Sequence, residues 1–208
     1  MTISLTLSLT LKDVLRKPAY KLYELSHAGE PWISPGAVGF CDHHLTIEMT
    51  GFEWGSGIST VWFGRRLQRL VSVEHDPRWY ALVTRRLKKA GLHQVGCRLI
   101  PLEHDASQPT LPRYERTPSY VRAVEEFPNE SLDFVAVDGH YRQACVLAAL
   151  PKLKRGGMLL VDDTNWLRAE DWPVPPGWPV IHESANGMRK KTTTVWQKPT
   201  AVEQRDAT

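Results

Sequence analysis

The rhythm of apolar and polar positions changes several times along the chain, and each change marks an element. Between Met1 and Leu11, Ile3, Leu5, Leu7, Leu9 and Leu11 alternate with Thr and Ser. Residues 12–27 read as a helix interrupted at Pro18. Ser34-Pro35, an N-cap followed by proline at the first helical position, opens a second helix through His44. Residues 47–54 predict a strand, followed by a Gly-rich turn and a helix over 59–67. Residues 70–74 (L-V-S-V-E) predict a short buried strand. Asp76-Pro77 then caps a helix through Ala90, with Trp79, Val83 and Leu87 on one face and Gly91 beyond its end.

Residues 98–102 and 132–137 predict the third and fourth strands. A helix from Arg142 places Val146, Ala149, Leu150 and Leu153 on one stripe, kinks at Pro151 and stops at Gly156-Gly157, before a fifth strand over 158–161. Residues 180–183 and 192–197 predict two further strands joined near Asn186-Gly187. The Pro- and Trp-rich stretch 165–179 reads as a loop over the sheet's carboxyl edge. Strands alternating with helices imply right-handed crossovers and an α/β fold, with a parallel sheet covered on both faces.

Composition narrows the class. The chain has 208 residues, 42% apolar and 24% charged, the usual balance of a single globular domain. Its formal net charge of +3 does not by itself mark a nucleic-acid binder. Cys41, Cys97 and Cys145 are odd in number and widely spaced, which fits neither a disulfide framework nor a zinc site. The N-terminus lacks a basic region before a continuous apolar run, and no long uncharged apolar stretch occurs. A cytoplasmic protein without a membrane partner is the expectation. Eight tryptophans against five phenylalanines are the one unusual feature.

In an open α/β sheet, ligands bind beyond the carboxyl ends of the strands. Here the first strand runs into Glu53-Trp54-Gly55-Ser56-Gly57, and Glu74 ends the second strand 21 residues after Glu53. A carboxylate at that second place can accept both ribose hydroxyls of an adenosine ligand. Thr60 occupies the position of the third glycine in a dinucleotide fingerprint, and Glu53 would repel a diphosphate. Both features favour S-adenosylmethionine, with its cationic methionine group, over NAD.

F-E-W-G-S-G, V-S-V-E-H-D, L-D-F-V-A-V-D-G and L-K-R-G-G-M-L-L-V-D-D-T, in this order, resemble the motifs of class I SAM-dependent methyltransferases. The resemblance covers about residues 31–197. It implies a Rossmann-like, seven-stranded, mostly parallel sheet with an antiparallel C-terminal strand and helices on both faces. Residues 1–45 would be a helical cover, 46–199 the cofactor-binding core and 200–208 a flexible tail. By position, Glu53 would face the methionine amino group, directly or through water, Gly55, Ser56 and Gly57 would line the methionine and ribose, and Glu74 would hold the ribose hydroxyls. His75 would lie beside the adenine and Asp105 would accept from its amino group.

The groups able to assist transfer follow strands four and five: Asp138-Gly139-His140-Tyr141-Arg142 and Asp162-Asp163-Thr164-Asn165-Trp166. They further resemble the metal-dependent catechol and caffeoyl-CoA O-methyltransferase branch. That resemblance implies Asp138, Asp162 and Asp163 as ligands of Mg²⁺ or Ca²⁺, although the branch has Asn at the third position and a catalytic Lys near the place of Tyr141. Without a metal, Asp138 would contact cofactor or acceptor, and His140 is a candidate general base.

The acceptor is expected to be a small molecule methylated at oxygen, walled by residues 31–35, 107–129 and the loop after Asp163. Trp32, Trp166, Trp172 and Trp178 fall in these segments, Trp54 in the cofactor turn, and Trp62, Trp79 and Trp196 in helix or strand packing. A noncatalytic SAM-binding module, an RNA methyltransferase and an NAD-type oxidoreductase are the alternatives. The Asp-Gly-His-Tyr sequence departs from the Asn/Asp-Pro-Pro-aromatic signature of base-amine methyltransferases. Arg65, Arg66, Arg69, Arg85, Arg86, Lys88 and Lys89 read as solvated helix faces.

Overall fold

The computed structural model describes residues 29–103, 116–186 and 191–200. The expected helix over 12–27, Asp105, part of the expected acceptor wall and the tail 201–208 lie outside these residues. The chain forms α1 (Pro35–His44), β1 (Thr50–Trp54), α2 (Ile58–Gly64), β2 (Arg69–Glu74), α3 (Pro77–Ala90), β3 (Val95–Leu99), α4 (Ser119–Arg122), β4 (Leu132–Val137), α5 (Arg142–Ala149), β5 (Leu153–Val161), β6 (Val180–Asn186) and β7 (Lys191–Gln197). Short 3₁₀ turns follow α4 and β5.

The sheet has seven strands in the order β3-β2-β1-β4-β5-β7-β6. The first five are mutually parallel, whereas β7 runs antiparallel between β5 and β6. Strand order reverses between β1 and β4, which makes their carboxyl ends the switch point. This is the Rossmann-like arrangement expected, with its antiparallel last strand.

Alternation along the strands sorts two cores. Phe52, Trp54, Val71, Val73, Val135, Val137, Leu159 and Val161 face α4 and α5. Leu70, Phe134, Ala136, Met158 and Leu160 face α1, α2 and α3. On this second face the parity of β1 also places Glu53, which registers beside Ser72 of β2. Ser34 caps α1 through Ala37 N. Asp76 caps α3 by accepting from Arg78 N at 2.7 Å and Trp79 N at 3.0 Å, and Gly91 closes that helix in the left-handed region at φ 68°.

Several boundaries differ from expectation: β1 begins at Thr50 rather than 47, α2 ends at Gly64 rather than 67, and β6 runs to Asn186 rather than 183. The third strand covers Val95–Leu99 rather than 98–102. It is an edge strand whose burial barely alternates, so Ile100 and Leu102 carry a stronger apolar signal than the strand itself. Pro101 has no N–H to continue a ladder. The helix after Arg142 ends at Ala149, and Leu153 begins β5 opposite Leu132. Leu150 keeps helical backbone as the cap, and Pro151, which has no N–H, cannot donate the next helical bond. Gly156 and Gly157 lie in an irregular stretch of β5, where the register jumps from Leu132↔Leu153 to Phe134↔Met158. Gly156 has φ 78°, and a Cβ on Gly157 would stand 2.9 Å from Lys154 O, so the glycines permit a strand irregularity rather than stop a helix.

Candidate functional site

A cavity of about 460 Å³ opens at the switch point. Gly55, Ser56 and Gly57 line one side of it, Glu74, His75 and Trp79 another, and Asp138, Gly139, His140 and Arg142 a third, with Trp32 and Trp166 also in its wall. Of the expected cofactor residues, all but Glu53 and Asp105 therefore meet in one place. Gly55 has φ 94°, and a Cβ there would stand 2.5 Å from Asp138 O, so only glycine lets the β1 and β4 turns cross this closely.

Glu53 is buried behind this loop. Its Oε1 accepts from Ser59 Oγ at 2.5 Å, and its Oε2 accepts from Thr60 Oγ1 and Ser72 Oγ, both at 2.6 Å. Thr60 Oγ1 also accepts from Gly57 N at 2.8 Å, and Ser56 Oγ lies 2.6 Å from Ser72 Oγ. The carboxylate thus ties the loop and the first turn of α2 to β1 and β2. It does not line the cavity, so of the two expected ways of reaching a ligand, directly or through water, only the indirect one is open to it. Burial raises its pKa against the lowering effect of the three hydroxyl bonds, and the charge of Glu74 adds to the rise.

Glu74 is buried too, yet it reaches the cavity. Its Oε1 accepts from His75 N and Asp76 N, each at 2.8 Å, and stands 2.9 Å from His75 Nδ1; none of these contacts falls on Oε2. The His75 and His140 rings meet edge to face with centroids 4.4 Å apart. Burial, His75 and Arg142 together lower the pKa of His140, so its imidazole is neutral at pH 7 and able to accept a proton.

The three carboxylates beyond β4 and β5 do gather, with ligand atoms within 4.8 Å of one another. Two cations missed by the sequence reading stand among them. Arg142 donates to Asp138 Oδ1 and Asp163 Oδ2, both at 3.0 Å, and to Asp162 O at 2.7 Å. Lys191, from β7, reaches Asp163 Oδ2 at 2.8 Å and lies 3.6 Å from Asp162 Oδ2. Thr193 Oγ1 donates to Asp162 Oδ1 at 2.6 Å. The Trp166 ring covers the Arg142 guanidinium at 4.4 Å. Tyr141 and Asp163, flanking this cluster, have φ of 55° and 58°, conformations that non-glycine residues hold only where their surroundings impose them.

Among the described residues, three carboxylates against two cations leave one negative charge, and Asp162 Oδ2 and Asp163 Oδ1 are buried without a hydrogen bond. One proton balances the cluster. Accordingly, burial and Asp162 push Asp138 up to about 8, and burial raises Asp162, the two titrating as a pair. A divalent ion fits less well. Arg142 already holds Asp138 Oδ1 and, with Lys191, Asp163 Oδ2, so an ion would have to displace two cations before it gained three ligands. As the side chains stand, this charge compensation competes with the expected role of Asp138, Asp162 and Asp163 as ligands of Mg²⁺ or Ca²⁺.

The expected aromatic wall divides. Trp32 and Trp166 are about half exposed at the cavity, and Trp79 lines it as well. Trp54 and Trp172 are core residues, donating to Tyr120 O and Thr164 O, and Trp178 packs against the same core. Tyr120, Val121 and Val124, from the expected wall segment 107–129, also lie in that core.

The profile of a family described as a methyltransferase domain matches residues 52–164, more than half of the chain. The chain belongs to that family, and its fold is that of the class I SAM-dependent methyltransferases. No curated protein matches the sequence. Among solved structures, it is similar to an RNA methyltransferase from Salinibacter ruber in complex with S-adenosyl-L-homocysteine (15% identity, 82% of this chain and 94% of that one, TM-score 0.54). It is also similar to an rRNA methylase from Streptococcus thermophilus (12% identity, 82% and 100%, TM-score 0.55). A third similar structure is a precorrin-6y C5,15-methyltransferase from Geobacter metallireducens (15% identity, 78% and 86%, TM-score 0.54). Among the described residues, no helix is long and apolar enough to cross a membrane.

Glu53→Ala strands three buried hydroxyls, and at about 1 kcal/mol or more for each the expected loss is about 3 kcal/mol in a denaturant melt. A raised carboxyl pKa stabilises the fold at low pH, and that contribution drains away between about pH 4, where the unfolded chain titrates, and about pH 8. The melting temperature of the wild type should fall more steeply over that window than that of Asp138→Asn; parallel curves contradict the shared proton. Millimolar Mg²⁺ or Ca²⁺ should leave the wild-type melting temperature unchanged, since a rise that grows with ion concentration is the mark of a bound metal.

Proposed function

We propose that the protein transfers the methyl group of S-adenosylmethionine to the oxygen of a small, flat acceptor. The observation that carries this reading is the meeting of the Gly55-Ser56-Gly57 turn, Glu74, His75 and His140 around one cavity, with Trp32 and Trp166 also in its wall. Glu74 holds the ribose hydroxyls through the oxygen its backbone contacts leave open. The loop amides lie along the methionine, and Glu53 acts at one remove by fixing that loop. His75 borders the adenine, as Asp105 does by position in the sequence.

The sulfonium supplies the reactive methyl group, which leaves the protein to align the acceptor and remove its proton. His140, neutral and at the cavity wall, is the base. Asp138, holding the cluster's proton and bonded to Arg142, orients the turn on which His140 stands. Two half-exposed tryptophans in the cavity wall suit a planar acceptor. The cytoplasm, where the cofactor is abundant, is the compartment this chemistry fits.

Calorimetry tests the assignment. The wild type should bind both SAM and its demethylated product, and Glu74→Ala should lose at least tenfold in affinity, the equivalent of one charge-assisted hydrogen bond. His140→Ala should keep the cofactor affinity and lose methyl transfer in an acceptor screen. Unchanged affinity in Glu74→Ala would remove the cofactor site as drawn. Cofactor binding without transfer to any acceptor would instead mark a noncatalytic binding module.

A further inference from the structure

A second cavity, of about 370 Å³, lies between α2 and α3, which pack side by side. Arg65, Arg86 and Lys89 line it over a floor of Ile58, Val61 and Ala90. Ile58 lines the cofactor cavity as well, so the two spaces adjoin at the first residue of α2. Among the described residues, no carboxylate lines the second cavity, and Arg65, Arg86 and Lys89 form no ion pair. Arg66, beside Arg65 in sequence, is by contrast bonded to Asp42.

The local charge is also lopsided. Residues 65–98 hold nine Lys and Arg against two carboxylates, in a chain whose net charge is only +3. Cations at the ends of α2 and α3 suit the helix dipoles, which accounts for basic residues there but not for three of them around one pocket. Gly29 also lines the cavity, and the 28 residues before it in sequence carry more Lys and Arg than Asp and Glu, so that segment does not complement the charge. A nucleic-acid backbone spreads single charges along an extended strand. Diphosphate groups concentrate theirs, which suits a pocket of about 370 Å³ lined by three cations.

We propose that this groove is an anion subsite for the phosphate groups of the methyl acceptor, which makes the acceptor a diphosphate-bearing small molecule. Its flat part reaches the wall between Trp32 and Trp166, and its phosphates lie against Arg65, Arg86 and Lys89. The inference rests on the methyl-transfer reading for the identity of the ligand, and on the second cavity alone for its charge.

The test is calorimetric titration with inorganic pyrophosphate, on the cofactor-free protein and on protein saturated with S-adenosylhomocysteine. Expected is saturable binding in both, reduced at least tenfold in Arg86→Ala/Lys89→Ala. Arg85→Ala/Lys88→Ala removes the same charge from positions of the same helix that do not line the groove, and should leave affinity unchanged. Equal losses in the two variants, competition between pyrophosphate and S-adenosylhomocysteine, or no saturable binding would overturn the subsite. Tighter binding of a short RNA oligonucleotide than of pyrophosphate, weakened by both variants and steeply by salt, would also overturn it and assign the face to nucleic acid. Failure of S-adenosylhomocysteine to bind removes the methyl-transfer reading, while the cofactor-free titration still decides the anion subsite.

Discussion

A carboxylate with almost no access to water, at the end of the central strand, is the constraint on which the site depends. Burying a charge there is costly unless its oxygens are filled, and three hydroxyls fill those of Glu53. One comes from the neighbouring strand and two from the first turn of the following helix. The bond network therefore sets where β1, β2 and α2 stand relative to one another. The Gly-Ser-Gly turn hangs from the same network through Gly57 N and Ser56 Oγ. Because these bonds share partners, each polarises the next, and the turn is held as a unit rather than by separate contacts.

A second network, built on the other side of the switch point, works by charge compensation. Arg142 binds the carboxylates that follow β4 and β5, and Lys191 approaches from β7. Thr193 passes the connection on, since its hydroxyl donates to Asp162 while accepting from Ser34 N at the cap of α1. The cavity thus lies between a hydroxyl-caged carboxylate and a charged cluster. What remains adaptable at its wall is the pair of half-exposed tryptophans.

Much of this was legible in the sequence where the signal is local. Period-two alternation, caps such as Asp76 and turns such as Gly55 are fixed by neighbours in the chain, so the succession of strands and helices and the residues at the strand ends followed from them, whereas the seven-stranded arrangement came from the family resemblance. Errors arose where tertiary context decides. The edge strand Val95–Leu99 buries too little to alternate, and the glycines of β5 mark an irregular strand that looks in sequence like a helix stop. Glu53 was recognised as functional, but its partners Ser59, Thr60 and Ser72 needed the register of β1 on β2. Arg142 stands four residues after Asp138, a spacing that could have drawn attention to the pair. Nothing local connects Lys191 to Asp163.

The placement of β7 between β5 and β6 has a consequence for how the chain reaches its native state. In the finished sheet β6 pairs only with β7, which is made after it. During synthesis the open edge of β5 and the whole of β6 must wait, their backbone groups unpaired, for the strand that joins them. Unpaired strand edges in an incomplete domain are where chains adhere to one another. Lys191 opens that last strand, so it reaches the carboxylates only when this exposed stage ends. Closure of the sheet and neutralisation of the cluster are then a single event.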